Sequence, residues 1–430
     1  MGRLLPGILL GFCLSATALT ARAHNHHDDN HLYQASVSDT DTKPVSGQDL
    51  EDIGSLFPGQ SDAAGSAQPA PAASSDPNAQ GLNVTRFFQS MNPDMSFIMD
   101  SAVAGFSSDT PLQLGAHDPR ANGFNFQQLE LSLGSAVDPY FRFDSNIVFS
   151  PFGVEIEEAY ATTTALPENL QLRAGQFLTR FGRLNATHPH AWDFADQPLV
   201  NGKFFGGEGN RGLGTEVSWL SPLPWYLELA GSLTDATGAA TARSFYGSQN
   251  LGVNGVGDLE LCTLIKQFFP LSEDLSVAWG MSGAFGPNPT GRSNRSEIYG
   301  TDLYIKYRPI SGENVSIVSL TTEAMVRRRQ VPGNVLVDAG GYTSLFWQFA
   351  LGWAAAARYE VVSGTNNDYI DPEWIGNRQR ASANVTWWPT EFSRIRLQAN
   401  ADFPTWRAEP IYGVFLAFEV VTGAHGAHKF

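Results

Sequence analysis

The feature that most constrains this sequence is an alternation of apolar and polar residues, which recurs in segments of roughly ten to thirteen residues from Asn83 onward. In the segment near the C-terminus, Ile395 and Leu397 share one parity, and Arg394 and Arg396 share the other. Because successive side chains of a β-strand point to opposite faces, such a segment has one apolar face and one polar face. One face suits lipid and the other suits water.

About sixteen strands can be placed in this way. They lie near residues 96–106, 123–135, 138–149, 153–164, 169–179, 212–220, 223–234, 256–268, 273–285, 296–308, 313–325, 340–350, 353–363, 379–388, 392–402 and 410–421. Their length is about what a tilted strand needs to cross the hydrocarbon layer of a membrane. Strands of soluble sandwiches and solenoids, the alternative folds, usually have only five or six residues.

The connections between these segments fall into two length classes. Short ones lie at 136–139, 166–169, 221–224, 270–273, 309–313, 350–353 and 389–391, and they interleave with mostly longer ones. Short periplasmic turns that alternate with longer external loops are typical of bacterial outer-membrane barrels, and an even strand count puts both termini in the periplasm. The sequence therefore predicts an all-β protein, a transmembrane antiparallel β-barrel in the bacterial outer membrane.

Composition excludes several other classes. No run of about twenty apolar residues follows the N-terminus, which argues against a helical membrane protein. The formal charge of −16 argues against nucleic-acid binding, which needs basic surface. No nucleophile motif of the G-x-S-x-G type is present in a strand-to-helix setting, and we do not expect an enzyme.

The N-terminal part of the chain is predicted to comprise two segments that precede the barrel. Residues 1–23 read as a signal peptide, with Arg3 before an apolar stretch and an A-x-A cleavage motif that ends at Ala23. Residues 24–82 are rich in His and then in Pro, Ala and Ser, which predicts a disordered periplasmic arm. The barrel would occupy residues 83–430. The mature chain would keep only Cys262, so it has no disulfide framework.

The arm carries a candidate metal site at His24, His26, His27 and His31. If cleavage follows Ala23, His26 is third from a free amine, and the amine, two amides and the imidazole could hold Cu(II) or Ni(II) in a square plane. Zinc could use the remaining histidines. The alternative is a solvated tail with no ligand. No other cofactor is expected.

Strand parity also assigns charged side chains to the lumen. The basic ones are Arg142, Arg173, Arg358, Arg380, Arg394 and Arg396, and the acidic ones are Asp100, Glu130, Asp144, Glu228, Glu260, Asp302, Glu360 and Asp402. A mixed set of lumen charges favours small polar solutes over ions of a single sign. The alternative is that these charges only pair with one another and keep the channel wet.

Several motifs resemble the phosphate-selective porin (porin O/P) family. The segment from Leu172 to Phe177, followed by Phe181-Gly182, is similar to a characteristic strand of that family, as are Asn210 to Gly214 and Ala383 to Pro389. The resemblance implies a sixteen-stranded porin that assembles as a homotrimer. The lysine cluster of a phosphate-selective pore is not evident, so phosphate selectivity is not implied.

Some relatives of this type are similar to proteins labelled zinc-regulated TonB-dependent outer membrane receptors. A true receptor of that class would need about twenty-two strands and a folded N-terminal plug. Residues 24–82 are too short and too polar to form such a plug.

The longest connection in the barrel region covers residues 180–211, and general porins fold the corresponding third external loop into the channel. It carries His188, His190, Trp192, Asp193, Asp196, Lys203, Glu208 and Arg211. We expect this loop to form the constriction. His188 and His190 with Asp193 and Asp196 could ligate zinc, or the loop could be held only by hydrogen bonds.

The sequence thus predicts an outer-membrane porin for the passive diffusion of small hydrophilic solutes or ions. Its partners would be outer-membrane lipid, small polar solutes and two further copies of the chain, with no nucleic acid. One alternative is a receptor or channel for the acquisition of zinc or copper. Another is a barrel with a closed lumen.

Overall fold

The computed structural model describes residues 93–151, 153–291, 293–309 and 316–423. The predicted signal peptide, the histidine-rich arm with its metal site, and the chain terminus at Phe430 lie outside these residues. Among the residues described, no helix is long and apolar enough to cross a membrane.

Sixteen antiparallel strands form a closed barrel in which each strand pairs with its neighbours in sequence. They are β1 (Asp94–Phe106), β2 (Gly123–Ala136), β3 (Phe141–Ser150), β4 (Gly153–Thr163), β5 (Leu170–Leu178), β6 (Arg211–Leu220), β7 (Tyr226–Thr234), β8 (Glu260–Pro270), β9 (Leu275–Pro287), β10 (Arg295–Tyr307), β11 (Ile317–Val331), β12 (Asn334–Ala350), β13 (Trp353–Val362), β14 (Arg378–Thr390), β15 (Ser393–Pro404) and β16 (Ile411–Gly423). The predicted fold class and strand count are confirmed.

The barrel closes through the pairing of β1 with β16. Asp100 lies opposite Glu419, and Ala102 lies opposite Ala417. Closure leaves no free edge strand, so every strand has a hydrogen-bonded neighbour on both sides. A strand can cross lipid only under this condition.

The two faces of the wall differ as the alternation predicts. On β15, 54% of Leu397 is exposed on the outer surface, whereas only 4% of Arg396 is exposed. Several aromatic side chains also face outward, and Trp353 and Trp387 stack on neighbouring strands with ring centroids 5.6 Å apart. An apolar outer band with aromatic residues is what a lipid bilayer requires of a barrel.

One predicted connection proved to be part of the wall. The alternation predicts that one strand ends near residue 325 and the next begins near 340, but β11 and β12 continue to a two-residue turn formed by Pro332 and Gly333. Gly333 has φ 73°, in the left-handed region that glycine adopts without strain. The Pro-Gly pair was a turn signal in the sequence.

The long connections at one end of the barrel pack partly inside it. We call residues 107–122 loop 1, 179–210 loop 3, 235–259 loop 4 and 363–377 loop 7. Loop 3 contains a 3₁₀ turn (Pro189–Ala191) and a short helix, α1 (Leu199–Phe205), and loop 4 ends in a second 3₁₀ turn (Val256–Asp258).

An apolar cluster, the lumen core, joins these loops to the inner wall. It includes Phe181, Leu199, Val200, Phe204, Phe205, Phe245, Ile298, Met325, Tyr342, Val362 and Trp374. All seven residues of α1 are buried. Burial of each large apolar side chain contributes about 1.5–3 kcal/mol to stability. The hydrophobic effect therefore holds loop 3 in the lumen.

Candidate functional site

Loop 3 crosses the lumen and is bound to the opposite wall through the carboxylate of Asp196. Arg358 donates to one carboxylate oxygen at 2.8 Å, and Arg380 donates to the other at 2.8 Å. The side-chain amides of Gln398 and Asn400 donate at 2.6 and 2.7 Å. Although burial favours the neutral carboxyl, the two guanidinium groups hold the pKa of Asp196 below its usual value.

Backbone groups just before Asp196 bind the same wall. Arg396 donates to the carbonyl of Trp192 at 2.8 Å, and Arg394 donates to the same carbonyl at 3.2 Å. The amide N–H of Ala195 donates to the side chain of Gln398 at 2.8 Å. Three strands, β13 to β15, therefore fix the middle of loop 3.

The helix α1 is fixed in a similar way. The N–H of Leu199, in its first turn, donates to Glu360 on β13 at 2.6 Å. A carboxylate stabilises a helix N-terminus because the first N–H groups lack partners within the helix. Lys203 lies 3.0 Å from Asp338, which also forms an ion pair with Arg327. The helix α1 is therefore bonded to the wall at Leu199 and at Lys203.

A β-bulge in β4 turns two consecutive glutamates into the lumen. Asn146 of β3 pairs with Glu158, whereas the next residue, Ile147, pairs with Ile156. Glu157 is thus the extra residue of the bulge, and both Glu157 and Glu158 are buried on the inner side. In a regular strand, one of the two would face lipid.

Two histidines, His188 and His117, contact these glutamates. His188 lies 3.1 Å from Glu157 through Nδ1 and 2.8 Å from Glu158 through Nε2. His117, from loop 1, lies 3.0 Å from the other oxygen of Glu157. Three further contacts complete the group, which we call the His/Glu cluster: His117 with Glu208 at 3.3 Å, His190 with Glu130 at 3.2 Å, and His188 with Glu130 at 3.8 Å.

The electrostatics of the cluster favour the protonated form of its histidines. Although burial opposes the charged form, hydrogen bonds to Glu157 and Glu208 raise the pKa of His117 well above its ordinary value. Burial is likewise outweighed at His188, where the charge of Glu130 and hydrogen bonds to Glu157 and Glu158 raise the pKa. In the absence of another cation, imidazolium groups balance the negative charge of the glutamate carboxylates.

Two cavities of about 30 Å³ adjoin loop 3, each with room for one or two water-sized species. The first lies between loop 3 and the wall formed by β15, β16 and β1, and is lined by Asp100, Arg394, Arg396 and Glu419, among others. The second reaches the His/Glu cluster and is lined by His117, Glu157, His188 and Glu208, among others. Space for small polar species therefore remains next to loop 3.

The lumen charges predicted from parity have inward side chains in the structure, and most are paired. Arg173 binds Glu216, Arg394 binds Glu419, Arg358 binds Glu360, and Arg380 binds Asp402. Arg142 binds Asp144 and is more exposed than the others. In these contacts the lumen charges pair with one another, as the alternative interpretation of them expects.

The predicted zinc ligands in loop 3 do not come together. Asp196 faces Arg358 and Arg380, so the set of His188, His190, Asp193 and Asp196 is wrong as a metal site. The histidines face Glu130, Glu157 and Glu158 instead.

The remaining predicted constriction residues lie apart from Asp196. Glu208 joins His117, and Arg211 begins β6, where it binds Glu155.

Sequence reasoning missed His117, Glu157 and Glu158 as partners of the loop. A signal was present, because Glu155-Ile156-Glu157-Glu158 breaks the alternation of β4. Two consecutive acids at such a break indicate a bulge. The partner in loop 1 left no local signal.

Comparison with solved structures places the chain among sixteen-stranded barrels of the porin type. It resembles OprB of Pseudomonas putida (TM-score 0.54, 11% identity, 79% of this chain and 96% of that one) and the outer membrane channel DcaP of Acinetobacter baumannii (0.52, 12%, 77% and 97%). It also resembles an anion-selective porin from Comamonas acidovorans (0.51, 11%, 77% and 99%). At these identities the likeness shows the fold, with which the predicted outer-membrane location agrees.

No family model matches the chain. Sequence comparison finds a protein of Aquifex aeolicus (strain VF5), described as an uncharacterized protein, that is 31% identical over 385 residues. The alignment covers 79% of this chain and 80% of that protein. Identity of this level over most of both chains shows common ancestry, and the chain belongs to the same protein family as this Aquifex aeolicus protein.

Proposed function

We propose that the protein is an outer-membrane channel for the passive diffusion of small hydrophilic solutes or ions. The observation that carries this proposal is a closed sixteen-stranded wall with an apolar outer surface and an inner surface lined by charged side chains. A wall of this kind separates lipid from a polar path through the membrane. The porin fold of the neighbours supports the same function.

The lumen is narrow at the level of loop 3, which favours small permeants. Arg396 and Arg380 are less than a tenth exposed although they face the lumen, because loop 3 covers them. We place the permeation path at the cavity between loop 3 and the β15–β1 wall, which is lined by Asp100, Arg394 and Arg396, among others. Charges of both signs along it fit small polar solutes rather than one class of ion.

Conductance in a planar lipid bilayer tests the proposal. Purified, folded protein should produce discrete current steps, and their absence at several protein concentrations would overturn the channel function. The expected steps are smaller than those of an open sixteen-stranded pore because loop 3 occupies the lumen.

Ion selectivity locates the path. Replacement of Arg394 and Arg396 by Gln removes positive charge beside the cavity, so the reversal potential in a salt gradient should move toward cation preference. Arg328→Gln is the matched control, because Arg328 is half exposed and pairs with Glu297 on the outer side of the wall. An equal shift in both proteins would contradict this path.

A homotrimer and kinship with the phosphate-selective porin family remain predictions, based on the motifs at Leu172 to Phe177 and Ala383 to Pro389. The mass of the protein in detergent, measured by light scattering, tests the trimer. The histidine-rich arm likewise remains a predicted site for Zn, Cu or Ni.

A second candidate function is a channel for metal acquisition. One observation favours it, namely that three histidines lie among four glutamates beside loop 3.

A further inference from the structure

The His/Glu cluster contains two groups of potential metal ligands that share one residue. In the first group, one ligand atom each from Glu130, Glu157 and His188 lies within 4.8 Å of the others. In the second group, the same holds for His117, Glu157 and Glu208. Glu157 directs one carboxylate oxygen to His117 and the other to His188. A carboxylate between two imidazoles is able to bridge two ions.

The spacing of the donor atoms fits a transition metal. In a tetrahedral site with bonds of about 2.1 Å, neighbouring donors lie about 3.4 Å apart. Nε2 of His117 lies 3.0 Å from Oε1 of Glu157 and 3.3 Å from Oε2 of Glu208. Nδ1 of His188 lies 3.1 Å from Oε2 of Glu157. Loss of the imidazolium protons would let an ion take their place with small side-chain shifts.

An unsatisfied atom points to a missing ligand. Glu130 is fully buried, and its Oε1 atom has no hydrogen-bond partner. This oxygen lies 3.8 Å from Nδ1 of His188. A buried carboxylate oxygen without a partner is costly, and an ion between these two atoms would satisfy it.

Space and backbone geometry are also suitable. The second cavity reaches His117, Glu157, His188 and Glu208, so an ion has room at the cluster. The bulge in β4 is what turns Glu157 inward beside Glu158. Bulges often re-aim a side chain next to a functional site.

We propose that the His/Glu cluster binds a divalent transition-metal ion of the zinc class, with Glu157 as the ligand common to two sets of three protein ligands. Imidazole nitrogen and carboxylate oxygen together suit Zn²⁺ and its neighbours, whereas Mg²⁺ and Ca²⁺ prefer oxygen alone. Three protein ligands per set leave a position open for water or for an exchanging ligand. The site does not depend on the proposed channel function, because binding and conductance are measured separately.

The test is a titration of the full chain with zinc in detergent micelles, with the heat of binding measured by calorimetry. The protein to be titrated, called the parent, carries Asn in place of His24, His26, His27 and His31, so that the histidine-rich arm does not compete for zinc. One or two Zn²⁺ should bind per chain, and protons should be released, since the histidines must deprotonate. Glu157→Gln should weaken binding by at least about 10- to 100-fold, the loss typical even of a residue that only supports a ligand.

Glu260→Gln is the matched control. Glu260 is also buried and inward on its strand, but its side chain binds Asn210 rather than a histidine. Zinc affinity should be unchanged in this variant. Equal affinity in Glu157→Gln and Glu260→Gln would overturn the proposal.

A measurement on the parent alone covers the case in which Glu157→Gln does not fold. Addition of Co²⁺ should give visible absorption bands of a low-symmetry site with nitrogen and oxygen ligands, and Zn²⁺ should abolish them. A parent that shows neither these bands nor heat of zinc binding contains only imidazolium–carboxylate pairs, and the proposal is wrong. Conductance of the same samples reports the channel separately.

Discussion

Replacement of Asp196 by Asn should weaken the attachment of the middle of loop 3 to the barrel wall. The carboxylate receives Arg358, Arg380, Gln398 and Asn400, all in the buried lumen. An Asn side chain has no charge and offers only one oxygen, so its NH₂ group would face donors. Removal of one member of a buried ion pair costs about 3–5 kcal/mol.

The lower end of that range applies here because both arginines keep a second partner. Arg358 remains 2.9 Å from Glu360, and Arg380 remains 2.9 Å from Asp402. We therefore expect a loss of about 3 kcal/mol, which raises the ratio of displaced to docked loop about 100-fold. Single-channel recording of the variant should show larger and noisier currents than those of the protein with Asp196, and the Tm of the variant should be lower.

Asp193→Asn is the control, with the same substitution in the same loop. Burial raises the pKa of Asp193 despite the attraction of nearby arginines. The arginines therefore stabilise the Asp193 carboxylate less than that of Asp196, and its replacement by Asn should cost less stability. The reasoning is refuted if Asp196→Asn and Asp193→Asn give the same current amplitude, noise and Tm.

Two further predictions concern the wall and the His/Glu cluster. Gly175 has φ 139°, and an added Cβ would lie 2.3 Å from the carbonyl oxygen of Ala159, so Gly175→Ala should destabilise the barrel by about 2–6 kcal/mol. Gly105→Ala, where nothing lies within 4 Å of the added Cβ, should leave the folded fraction on refolding unchanged; equal yields would contradict the first expectation. The raised pKa values of His117 and His188 contribute stability that is complete below about pH 6.5, the unfolded value, and is lost as pH rises through the folded values. In the presence of a chelator, the Tm should therefore fall more steeply above pH 6.5 in the parent than in a variant with Asn at both positions, and parallel curves would disprove the assignment.

The wall of the barrel was predictable because its signal is local. Inward Arg396 and outward Leu397 follow from a period of two, which depends only on strand geometry. Strand ends were less predictable where alternation weakened, as between residues 325 and 340. There, hydrogen bonding across the β11–β12 hairpin extends both strands beyond the pattern.

The position of loop 3 was predicted from its length and from a resemblance, but its contacts were not. The zinc set proposed within the loop assumed that ligands near in sequence lie together. In the structure, Asp196 is bound to Arg358 and Arg380, more than 160 residues away. Such pairs depend on which part of a closed wall faces the loop.

The sequence by itself determined the closed, strand-built wall, its two faces and the loop long enough to cross it. These properties follow from the alternation of apolar and polar residues along the chain and from the requirement that strands in lipid satisfy the hydrogen bonds of their backbone groups. Only the tertiary structure decided that His117, Glu157 and Glu208 meet, across separations of 40 and 91 residues. Their meeting requires the bulge in β4 and the folding of loops 1 and 3 into one lumen, which are set by register and packing rather than by any local pattern.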